Sequence, residues 1–239
     1  MSLKVLQNNL QIQQSRKELD SKGISEITPP DSYLNSILRK LRLVNQVVMG
    51  DMLKSWDVLS TVNFLEEHVK KNVPILDIGC YASEVIIALH KSGFSNLTGA
   101  DLNSDVIKMP FQNAIHYEVT NFMQTKFEDA SFQAITSISV IEHDFNSQAL
   151  LKEMSRLLMP GGYFIASFDY WPDKIDTTGI QFFDMDWTIF SKNEVGNFIR
   201  EAATYGLVPI GDVEFDSKDR PIDCAGKQYT FAWLVLTKT

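Results

Sequence analysis

The chain has 239 residues, 44% of them apolar and 22% charged, the balance of an ordinary globular protein whose core needs no disulfide or metal staple. A net charge of −8 argues against a nucleic-acid partner, whose binding rests on Lys and Arg neutralising phosphates. No apolar run approaches the roughly 20 residues of a membrane span, Met1-Ser2-Leu3-Lys4 lacks a signal-peptide core, and Cys80 and Cys224 form no metal or disulfide spacing. The expectation is a cytoplasmic protein with neither membrane nor nucleic acid as partner.

Residues 3–20 read as a weakly amphipathic helix that Gly23 ends. Thr28-Pro29-Pro30-Asp31 is a break and an N-cap, after which Leu34, Ile37, Leu38 and Leu41 recur at helical spacing. The cluster Arg39-Lys40-Leu41-Arg42 reads as a solvated helix face. After a second break at Met49-Gly50-Asp51 a third helix runs from about Ser55 to Lys70. Residues 1–70 are therefore expected to form a helical cap on the domain formed by 71–239.

From Val73 onward short apolar runs alternate with amphipathic helices. The predicted strands are 73–78, 96–101, 114–119, 132–138, 163–168, 207–211 and 229–236; the predicted helices are 83–92, 104–109, 146–158 and 191–205. Ser191-Lys192-Asn193-Glu194 is a capping box, Gly93 and Gly206 are C-cap glycines, and Pro160-Gly161-Gly162 stops a helix. This pattern predicts an α/β fold with a doubly wound, seven-stranded, mostly parallel sheet. The last strand follows its predecessor without a helix between them, and is expected to insert antiparallel.

In such sheets ligands bind beyond the carboxyl ends of the strands, near the switch point. The first strand of the pattern ends Asp77-Ile78-Gly79-Cys80-Tyr81-Ala82-Ser83, with Glu84 opening a helix. Gly79 allows close approach of the backbone to a ligand. The next strand ends at Asp101, where a carboxylate can accept two hydrogen bonds from a ribose diol.

These segments resemble the class I S-adenosylmethionine-dependent methyltransferases, of Rossmann-like fold. Ile75-Leu76-Asp77-Ile78-Gly79-Cys80 is similar to the family's first motif, and Gly99-Ala100-Asp101-Leu102 to its ribose-binding segment. Residues 132–143 resemble its fourth strand and following loop, and residues 150–162 the helix and turn before the fifth. The resemblance covers about the central hundred residues. It implies S-adenosylmethionine as cofactor, held by Asp77, Gly79, Cys80 and Tyr81 at the first turn, with Asp101 on the ribose. Leu102, Asn121 and Phe122 would surround the adenine, Ile138 and Ser139 would line the reactive methyl, and Lys54 would meet the cofactor's carboxylate. His143 is the implied catalytic base, with Glu142 or Asp144 to orient it. The sequence departs from the family at Tyr81 and Ser83, where glycines are usual, and a Cβ at each would restrict a tight turn.

The substrate pocket is expected outside the resembling segments. The stretch 169–190 is dense in aromatic and acidic residues, and Tyr170, Trp171, Phe183 and Trp187, with Trp56 and Tyr33 from the N-terminal side, are candidate walls for a small polar molecule. The same aromatics leave a homodimer surface open. No metal site is expected, because adjacent residues such as Glu142-His143-Asp144 seldom point the same way. The leading expectation is methyl transfer to oxygen or nitrogen of a sugar, amine or natural product. Two rivals stand beside it. One is a non-catalytic binding protein on the same fold. The other is an NAD(P)-dependent oxidoreductase, disfavoured because Gly79-Cys80-Tyr81-Ala82-Ser83-Glu84 lacks the Gly-x-Gly-x-x-Gly turn.

Overall fold

The computed structural model describes residues 1–28, 47–143 and 146–239. The expected helix over 34–41, the Arg39–Arg42 cluster, Tyr33 and Asp144 lie outside the described residues. In chain order the elements are β1 (Leu3–Val5), α1 (Asn9–Ser21), a 3-10 turn (Met52–Lys54), α2 (Ser55–His68), β2 (Ile75–Ile78), α3 (Val85–Lys91) and β3 (Leu97–Asp101). A second 3-10 turn (Ser104–Lys108) leads to β4 (Ile115–Val119), β5 (Phe132–Ile138), α4 (Ser147–Leu157) and β6 (Leu158–Tyr170). The chain then forms β7 (Gln181–Phe182), β8 (Met185–Asp186), α5 (Lys192–Thr204), β9 (Leu207–Pro209), β10 (Ile222–Cys224) and β11 (Lys227–Lys238).

The sheet order is β1-β11-β6-β5-β2-β3-β4, with β9 and β10 also paired to β11. The five strands from β6 to β4 are parallel, and β11 lies antiparallel to β6, as its direct approach from β9 predicts. Each expected strand has its counterpart. Two differences have physical causes. Leu3–Val5 is a strand, not helix: Leu3 and Val5 alternate inward on the edge of β11, opposite Leu234 and Ala232, a pairing no local window reveals. The predicted helix over 104–109 is only a 3-10 turn, capped by the Asn103 side chain and followed by Pro110.

The sheet is covered on both faces, which is why its strands are apolar throughout. One face packs against α1, α2 and α3 through Ile12, Leu19, Val62, Leu65, Ile86 and Leu89. The other packs against α4 and α5 through Leu150, Leu151, Met154, Val195 and Phe198. Capping sets the helix limits. Asn8 caps α1, Asn146 caps α4, and Ser191 with Glu194 closes a capping box at α5. Among the described residues no helix is long and apolar enough to cross a membrane.

Candidate active site

Strand order reverses between β2 and β5, and the loops leaving the carboxyl ends of these strands frame a cleft of about 870 Å³. Such a volume holds a small molecule of drug or cofactor size. At β2 the chain turns at Gly79, whose φ of +67° favours glycine and whose Gly79 N–H donates to Ala100 O at 2.8 Å. A Cβ there would collide with Val140. The second left-handed residue of the turn is Ala82, with φ of +62°; Tyr81 and Ser83 lie outside that region, so their side chains add no backbone strain. The turn is held from the N-terminal side as well. Gly50 N–H donates to Ala82 O, and the Arg16 guanidinium forks onto both oxygens of Glu84 at 2.7 Å.

Asp101, at the end of β3, accepts from Tyr81 N–H on Oδ2 at 2.9 Å and from Asn103 N–H on Oδ1 at 2.8 Å. Each carboxylate oxygen keeps a further lone pair. Leu102 beside it is 56% exposed at the cleft wall, and Phe122 lies across the same end.

A second group of charges occupies the cleft over β6 and β11. Lys54 Nζ stands 3.5 Å from Asp169 Oδ1, 3.8 Å from Asp57 Oδ2 and 3.3 Å from the centre of the Phe231 ring. Burial pulls its ammonium down, but the carboxylates of Asp169, Asp57, Glu142 and Asp51 together raise it above its ordinary value. Burial pushes Asp57 up to about 7 against the attraction of Lys54. It pushes Glu142 up to about 8, with the negative charge of Asp169 adding to it. Asp169 Oδ2 accepts from Trp187 Nε1 at 2.7 Å, which aims its other oxygen at Lys54. His143 lies between Phe182 and Phe183, its ring centre 6.2 and 5.8 Å from theirs. Burial lowers its basicity, Asp169 opposing and Lys54 assisting, so the imidazole is neutral at pH 7.

Residues 76–166 match the model of a family described as a methyltransferase domain. The central segment is similar to class I S-adenosylmethionine-dependent methyltransferase domains. The chain is 28% identical over 162 residues to a sterol 24-C-methyltransferase of Neurospora crassa, covering 62% of this chain and 41% of the relative. It is 31% identical over 143 residues to a demethylmenaquinone methyltransferase of Staphylococcus haemolyticus, covering 56% of this chain and 58% of the relative. The chain thus spans less than two thirds of the length of these relatives. Among solved structures it is similar to a geranyl diphosphate C-methyltransferase of Streptomyces coelicolor A3(2), bound to Mg2+, geranyl diphosphate and S-adenosyl-L-homocysteine. That match has a TM-score of 0.58 at 15% identity and covers 88% of this chain and 100% of that one. At that identity the likeness concerns the fold.

The residues of the methyltransferase domain fit the family's cofactor, S-adenosylmethionine. Around the cleft Asp51, Asp101, Asp169 and Asp223 stand against Lys54, an acidic surround suited to a ligand carrying a sulfonium and an ammonium. Of the residues singled out in the sequence, Lys54, Gly79, Tyr81, Asp101, Leu102, Phe122, Ile138, Ser139, His143, Phe183 and Trp187 line the cleft. The others do not. Asp77 is 1% exposed beneath the turn, accepting from Thr136 Oγ1 at 2.6 Å. Cys80 is buried with its sulfur against Gly99, and Asn121 is exposed, its side chain accepting from Met123 N–H. Tyr170 alternates with Asp169 along β6 and so points to the opposite face, where its hydroxyl donates to Phe215 O. Trp171 is buried under the Arg220 guanidinium, and Trp56 lines a separate groove with Lys4 and Trp233. Asp57, Asp169, Tyr229 and Phe231 were not singled out as site residues. Asp169 alone carried a sequence signal, as the first acid after β6.

The expected aromatic loop contains a hairpin, β7–β8, turning through Phe183 and Asp184 at φ of +56° and +62°. Phe183 at its tip is 83% exposed. Among the described residues no cluster of three or more His, Cys, Asp or Glu is arranged to hold a metal ion.

Proposed function

We propose that the chain transfers the methyl group of S-adenosylmethionine to a small-molecule acceptor bearing a hydroxyl or amine. The observation that carries the reading is the pairing of two features in one cleft. One is the Gly79 turn with Asp101; the other is a neutral, half-buried His143 on the loop beyond β5. Bound there, the cofactor supplies an activated methyl on a sulfonium whose departure leaves a neutral thioether.

The chain's own residues have three tasks. Asp101, its oxygens already fixed by two backbone amides, accepts from the ribose hydroxyls. The walls formed by Ile138, Val140, Phe182 and Trp187 exclude water and align the acceptor. His143 would take the proton of the acceptor's hydroxyl or amine. Its Nδ1 is buried without a hydrogen-bond partner, which leaves that nitrogen uncommitted.

A carbon acceptor is the second reading, favoured by the likeness to two proteins that methylate carbon, a sterol 24-C-methyltransferase and a geranyl diphosphate C-methyltransferase. The test is incubation of the chain with methyl-labelled S-adenosylmethionine and the small-molecule fraction of a cell extract. The label is expected in an ether or amine product, and His143→Gln is expected to reduce its formation at least ten-fold. Label in a new carbon–carbon bond would replace the first reading by the second, and no labelled product would favour a binding protein.

A further inference from the structure

Lys54 lies over strands three and four places along the sheet from the one that ends in Asp101. The order β3-β2-β5-β6 places three strand spacings, about 14 Å, between the strand that ends in Asp101 and the strand that carries Asp169. Lys54 meets Asp169 on β6 and Phe231 on β11. A cofactor whose ribose is held at β3 and whose chain crosses the Gly79 turn at β2 leaves the space above β6 and β11 to the acceptor.

The polar groups in that space are incompletely used. Lys54 Nζ is buried and has no acceptor at hydrogen-bond distance, since Asp169 and Asp57 stand 3.5 and 3.8 Å away. An ammonium has three protons to donate, and a buried donor left without a partner is costly. Asp169 accepts from Trp187 Nε1 on one oxygen, also pairs with the Tyr229 hydroxyl, and turns its other oxygen toward Lys54. Around these groups stand aromatic walls: Trp187 packs edge-on against Phe182 and Tyr229, at 5.3 and 5.5 Å between ring centres.

We propose that Lys54 and Asp169 form the polar anchor of the acceptor site, and that the group they take is a neutral hydroxyl on an aromatic or other flat apolar body. The inference rests on the methyltransferase reading given above and deepens it. A hydroxyl accepts from the Lys54 ammonium and donates to the Asp169 carboxylate, satisfying both at once. A carboxylate or phosphate would complete Lys54 but face the Asp169 carboxylate. An ammonium would complete Asp169 but stand against Lys54. The flat body follows from the edges and faces offered by Trp187, Tyr229, Phe182 and Phe231.

The experiment uses three probes with one ring system and different heads: 2-naphthol, 2-naphthoate and naphthalene-2-methylammonium. Each is titrated calorimetrically into the full chain saturated with S-adenosylhomocysteine. The expected result is that 2-naphthol binds at least ten-fold more tightly than either charged probe. Lys54→Met is expected to weaken 2-naphthol about ten-fold while leaving S-adenosylhomocysteine affinity within two-fold of the parent. Asp169→Asn, which keeps the oxygen that Trp187 requires, serves as the second variant, with the same loss expected even if Lys54→Met does not fold. A charged probe that outbinds 2-naphthol overturns the proposal, as does an unchanged 2-naphthol affinity in Asp169→Asn. Loss of S-adenosylhomocysteine binding in a folded Lys54→Met would move Lys54 to the cofactor site and overturn it too. Failure of the parent chain to bind S-adenosylhomocysteine is a separate result: it refutes the methyltransferase reading and the anchor with it.

Discussion

Asp77 offers a sharp test of the electrostatics at the cofactor turn. Its carboxyl is 1% exposed, Oδ1 accepts from Thr136 Oγ1, and Oδ2 is buried with no hydrogen-bond partner. Burial pushes it up from 3.8 to about 7, outweighing the Thr136 hydrogen bond, with Asp101 adding to the rise. In the unfolded chain the same group ionises near 3.8. Between those values the folded state holds a proton that the unfolded state has lost, so stability falls as pH rises through that window and levels off above about 7. From pH 5 to pH 8 the window still contains about two pH units, each worth about 1.4 kcal/mol. Asp77→Asn removes this titration and keeps an oxygen for Thr136. Urea unfolding of parent and variant from pH 5 to pH 8 should therefore show the difference moving by about 3 kcal/mol in the variant's favour. The matching trends from Asp57 and Glu142 cancel in that difference. A constant difference across the range, or one that moves against the variant, would refute the assignment of Asp77 as a buried, cation-free carboxyl.

Arg16→Met strands the buried Glu84 carboxylate and should destabilise the chain by about 3–5 kcal/mol, whereas Arg16→Met with Glu84→Met should recover most of the loss; chemical denaturation of both variants decides it. Gly79→Ala, at a φ of +67° and against Val140, should weaken binding of S-adenosylhomocysteine at least ten-fold, and unchanged affinity would show that the turn can move aside. Because His143 titrates below its ordinary 6.5, kcat should fall with acid only below about pH 6.5, as the base gains its proton. A pH–rate profile measured with the identified acceptor should lose that limb in His143→Gln; a limb that persists would place the base elsewhere.

The fold was largely legible because its signals are local. The strands from 73 to 138 announce themselves as apolar runs, and Ser191, Glu194, Gly93 and Gly206 punctuate the helices as capping chemistry requires. Leu3–Val5 was not legible, since a three-residue strand has no period of its own and gains its identity from β11, more than two hundred residues away. At the site, Gly79 and Asp101 could be found from one strand–helix–strand unit. Of the quartet Lys54, Asp57, Glu142 and Asp169, the resemblance reached Lys54 and Glu142 singly but not the grouping, because its members come from a 3-10 turn, α2, the loop after β5 and the end of β6. Only the assembled sheet brings them together. Tyr170 and Trp171 illustrate the converse: an aromatic run reads as a pocket wall until β6 alternation and the Arg220 stack assign them to the interior.

Asp101 as the cofactor's ribose ligand is the central element of the site. Calorimetric titration of S-adenosylhomocysteine into the chain and into Asp101→Ala tests it directly. The expected result is micromolar binding to the parent and a loss of at least thirty-fold in the variant, with NADH binding to neither. Equal affinity in the two proteins, or binding of NADH in place of S-adenosylhomocysteine, would contradict it.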